Sequence, residues 1–128
     1  MDQTVLVDAD VELGRQVVEA LDASDLRARA AFWFYEPDAG EWRLFLGASM
    51  VDKEGPKAAL SEISKALETR GLRDRLPLYR ISAVGLKTSI VKALRRVIKT
   101  GSGISGVRVT NNVVNGVLIH DAYIYRMQ

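Results

Sequence analysis

VRVTNNVVNGVLIHDAYIYR, residues 107–126, carries the most specific structural signal in this chain. Two runs rich in β-branched and aromatic side chains, 107–114 and 117–126, flank Asn115-Gly116. That dipeptide suits a two-residue type I′ turn, because both residues tolerate the positive φ the turn demands. The turn sets the register: Val114 faces Val117 and, counting outward, Thr110 faces Asp121 and Asn111 faces His120. A slip by one residue would turn the valines and leucines to the wrong side. In a regular strand alternate side chains share a face. His120 and Asn111 are therefore expected among Val107, Val109, Val113, Leu118, Ala122 and Ile124, while Asp121 lies with Arg108 and Tyr123 on the other side. A polar pair on an apolar face reads as a structural hydrogen bond, with a small-molecule pocket near His120 as the alternative.

Just before this hairpin runs KTSIVKALRRVIKTGSGISG, residues 87–106. The spacing predicts a helix over 88–99, with Thr88 or Ser89 as its N-cap. At about 100° per residue, Ile90, Val91, Leu94, Val97 and Ile98 share an arc of about 120°. Lys92, Arg95, Arg96 and Lys99 occupy the opposite side, and no carboxylate accompanies them. Exposed helix faces ordinarily mix signs, since i,i+4 acid–base pairs add stability and like pairs cost about 0.2–0.5 kcal/mol each. Gly101, Gly103 and Gly106 spell G-x-G-x-x-G, yet they follow a helix and lead into a strand. That reverses the order a dinucleotide site requires, and the loop faces the negative end of the helix dipole. Gly101 reads instead as the left-handed residue closing the helix.

Further upstream, residues 29–35 and 42–50 are aromatic and aliphatic, and EPDAGE between them is turn chemistry, so a second hairpin is predicted. Pairing Tyr35 with Trp42 places Trp33, Tyr35, Trp42, Leu44 and Leu46 on one face and Phe32, Phe34 and Phe45 on the other. A strand pair apolar on both faces must be covered on both, by helices or by a second chain. Residues 10–21 put Leu13, Val17, Val18 and Leu21 on one helical face. A second helix is expected over 55–71, with Pro56 at its first position and Gly71 at its C-terminal cap. Residues 78–84 read as a short strand. The order is αββαβαββ: one α+β domain over residues 1–128, with a mixed, largely antiparallel five-stranded sheet and three helices.

The chain has 128 residues, 48% hydrophobic and 27% charged, which suits one globular domain with a real core. The N-terminal stretch has neither the basic nor the apolar region of a leader, and no apolar run is long enough to span a membrane. The absence of cysteine excludes disulfides, thiol chemistry and zinc–thiolate sites. These features suggest a cytoplasmic protein. No motif implies a cofactor. Asp8, Asp10, Glu12 and Glu19 match some positions of a calcium loop, but Leu13 stands where that loop needs glycine, so no metal is expected.

The net charge of +2 conceals a strong asymmetry. Residues 1–64 carry six Lys/Arg against thirteen Asp/Glu, whereas residues 65–128 carry twelve against three. Charge segregation of this kind suggests an anionic partner, unless the two halves neutralise one another within the fold. The leading expectation is a non-enzymatic binding module contacting nucleic acid or an acidic protein through Lys92, Arg95, Arg96 and Lys99. A second is a structural or oligomer-forming protein that self-associates through Phe32, Phe34 and Phe45. A third is a small-molecule enzyme with a pocket at Asn111 and His120.

Overall fold

A computed structural model describes residues 5–128; residues 1–4, which open the stretch read as lacking a leader, lie outside the described residues. The elements are α1 (Asp8–Asp22), β1 (Ala30–Glu36), β2 (Glu41–Gly47), α2 (Ser49–Glu54), α3 (Pro56–Thr69), β3 (Ile81–Val84), α4 (Ser89–Val97), β4 (Val107–Val114) and β5 (Val117–Met127). A single 3-10 turn, Leu78–Arg80, precedes β3, so the strand expected over 78–84 is confined to its second half. The expected α+β class and element order hold, with one short helix added. That helix, α2, begins two residues after β2, where the sequence reads as continued strand.

Both hairpins form. β1 and β2 pair with Tyr35 opposite Trp42. β4 and β5 meet at a turn in which Asn115 and Gly116 have φ of 52° and 77°. The sheet order is β3-β2-β1-β5-β4, antiparallel throughout except for the β2–β3 pair. α2 and α3 make the crossover that a parallel pair requires.

Helices cover both sides of the sheet, which answers the two-faced hairpin. On one side α1 and α3 bury Val17, Val18, Leu21, Ile63 and Leu67 against Trp33, Leu44, Leu46 and Tyr125. On the other, Val91 and Leu94 of α4 pack on Ala30, Phe32, Ile119, Ala122 and Ile124. α3 closes as expected: Gly71, at φ 67°, lets its own N–H reach the Glu68 carbonyl and lets Leu72 N–H reach that of Leu67.

The end of α4 differs from expectation. The helix stops at Val97 because Ile98 is extended (φ −146°, ψ 137°), and Lys99 lies beyond it. Gly101 is not in the left-handed region, so it does not cap α4. The chain leaves along β5 instead, where Thr100 N–H bonds the Met127 carbonyl and Ser105 N–H that of Tyr125. Thr88 holds the N-cap position, but its hydroxyl donates back to the Gly85 carbonyl (2.8 Å) rather than capping the helix.

The final hairpin keeps its predicted register on both sides of residues 111 and 120 but not its predicted faces. Asn111 adopts φ 50°, and the face alternation reverses across it. Val107, Val109, Ala122 and Ile124 pack toward α4, yet so do Ile119 and Val114. Val113 and Leu118, expected with the first four, are 70% and 55% exposed.

Candidate anion-binding site

α4 is held to the sheet by Val91 and Leu94, both fully buried. That docking fixes which way the remaining side chains point. Lys92, Arg95, Arg96 and Lys99, with Asn115 from the β4–β5 turn, line one groove of about 480 Å³. Lys92, Arg96 and Lys99 are exposed, and Arg95 is half-buried in the wall. The Nε of Arg95 is buried and has no hydrogen-bond acceptor among the described residues. None of the four cations makes an ion pair with a described residue.

Many of the described carboxylates of the acidic half are paired away from this groove. On α1, Arg15 pairs with Glu12 and with Glu19 (2.7 Å), holding the Glu12 carboxyl down to about 2. Asp22 receives a bidentate contact from the buried Arg126 (2.8 and 2.7 Å), and Asp10 lies 3.7 Å from Arg80. Glu36 and Glu41 flank Arg43 at 3.7 Å. Thus α1, with its anions, sits across the sheet from α4 with its cations.

The other residues singled out in the sequence do not line this groove. His120 and Asn111 are both exposed, and no hydrogen bond joins them among the described residues. The expected structural hydrogen bond is absent because Asn111 leaves the extended conformation. The His120 ring lies 5.4 Å from that of Tyr35, on the α1 side of the sheet rather than the α4 side. Phe32 is buried, Phe34 and Phe45 half-buried, and the three rings pack together at 5.2–6.4 Å beneath the α4 side.

Asn115 is the lining residue that sequence reasoning missed, having been read only as turn chemistry. Its place beside α4 follows from Val114 and Ile119 packing on the α4 side of the sheet, which no local pattern records. No protein-family model, curated protein or solved structure matches this chain.

Proposed function

We propose that this protein is a non-enzymatic binding module whose α4 face takes a polyanionic partner. The observation that carries this reading is the groove of Lys92, Arg95, Arg96 and Lys99, whose cations have no ion-pair partner among the described residues. Structural needs explain only part of that charge. Arg95 and Arg96 in the last turn suit the helix dipole, but Lys92 does not lie there, and Lys92 and Arg96 repel as an i,i+4 pair on the helix. A partner that neutralises four cations releases counterions, so its affinity must fall with salt.

The test is titration of heparin and duplex DNA at several salt concentrations. Four phosphate contacts on B-DNA give a log–log slope of about −3.6. A variant carrying Arg95→Glu and Arg96→Glu should lose binding at low salt while keeping its fold by circular dichroism. Absence of binding by the native protein at low salt, or unchanged binding by the variant, refutes the reading.

A further inference from the structure

The basic surface continues beyond α4. A second basin, also about 480 Å³, shares Arg95 and Lys99 with the first and adds Arg29, Lys87, Thr100 and Gln128, together with the apolar Leu86 and Met127. Arg29 precedes β1, and Lys87 lies in the loop between β3 and α4. Two separated chain segments, Arg29 and residues 87–99, therefore bring six cations to one surface, and no Asp or Glu lines either basin.

We infer that the two basins form one track for the phosphate backbone of a double-stranded nucleic acid, bound without regard to base sequence. This rests on the polyanion reading above and names its partner. Arg95 is the shared wall, and its buried Nε lacks an acceptor. A phosphate supplies oxygens that accept in parallel from a guanidinium fork, the geometry that suits an arginine in a groove wall.

An acidic protein fits less well. Protein interfaces draw their binding energy from buried aromatic and aliphatic anchors. On α4 the one strongly exposed large apolar side chain is Val97, at 42%. Nucleic-acid interfaces need no such anchor, being polar and strongly positive. Single strands are held by stacking on aromatic rings, and no aromatic side chain lines either basin. Base reading requires side chains that reach a groove edge; here the cations are suited to phosphates, and α4 is docked flat by its apolar face.

The test is fluorescence anisotropy on a short duplex DNA across a salt series. Six phosphate contacts predict a slope of about −5.4, and an Arg29→Gln, Lys87→Gln variant should fall to about −3.6 with weakened binding. A native slope near −3.6 that the variant leaves unchanged would keep the α4 reading and overturn the track. Should the variant fail to fold, the native slope decides alone. Polyglutamate or single-stranded DNA binding as tightly as the duplex overturns the choice of partner. So does a preference above about tenfold between unrelated duplex sequences, which is the scale of one base-specific contact. No binding of any polyanion removes both proposals together.

Discussion

Tyr125 shows how much of this fold turns on a single hydroxyl. Its OH donates to the Val11 carbonyl (2.6 Å) and accepts from Trp33 Nε1 (2.9 Å), fastening β5 and β1 to α1. Gly14 makes that approach possible: a Cβ there would overlap the hydroxyl and come within 2.6 Å of Trp33 Nε1. Gly14→Ala should therefore destabilise the protein by about 1–3 kcal/mol despite its better helix propensity. Adding Tyr125→Phe should recover part of the loss, a coupling that a double-mutant cycle in urea would measure. Purely additive effects would show that the clash is relieved elsewhere. Burial also pushes the Tyr125 phenol well above its ordinary value. The native state then holds its proton at pH values where the unfolded chain has released it. Stability is accordingly full below pH 10 and should fall above it, by at most about 1.4 kcal/mol per pH unit. Tyr125→Phe should flatten that decline in melts recorded between pH 9 and 11.

Among the elements, the β4–β5 hairpin divides what local sequence specifies from what it does not. Asn115-Gly116 specifies the turn and the pairing, since few other dipeptides accept two positive φ values. Gly116→Val should cost about 1–2 kcal/mol or more, because a β-branched residue resists the φ of 77° found there. Asn111 is different. It lies in a run of strand formers and carries no turn signal, yet it adopts φ 50° and reverses the faces of both strands. Asn tolerates that region, so the sequence permits the irregularity without announcing it. Asn111→Gly should melt within about 0.5 kcal/mol of the native protein, whereas Asn111→Val should cost about 1–2 kcal/mol. Equal stability of the two variants would contradict a required left-handed residue. The helix α2 escaped notice for another reason: six residues are too few to be helical alone, so its existence depends on the parallel crossover it helps to build. By contrast α1, α3 and α4 were legible from apolar spacing, and α3 from its Pro and Gly ends as well.

At the scale of the whole molecule the organising fact is the placement of charge across the sheet. The cationic face of α4 could be read from helical periodicity and Lys87 lies just ahead of it in sequence, but Arg29 could not, because strand order brings it alongside and strand order is not a local property. The binding proposed for α4 and the stability of the fold make opposite demands on that charge. Lys92 faces Arg96 one turn later on an exposed helix surface, and no carboxylate is recorded in ion-pair contact with either among the described residues. Lys92→Glu removes that repulsion and creates a favourably oriented Glu–Arg pair at i,i+4. The combined gain should be about 0.4–1 kcal/mol. For the native protein, raising salt from a low concentration should screen the repulsion and raise the melting temperature, an effect the variant should show less. Binding to duplex DNA should move the other way, because the variant loses one cation from the groove and gains an anion within it. A more stable protein that binds polyanions more weakly is the signature of charge retained against the interest of the fold. If Lys92→Glu instead weakens folding and leaves binding untouched, the α4 face is a solvated surface and the partner lies elsewhere.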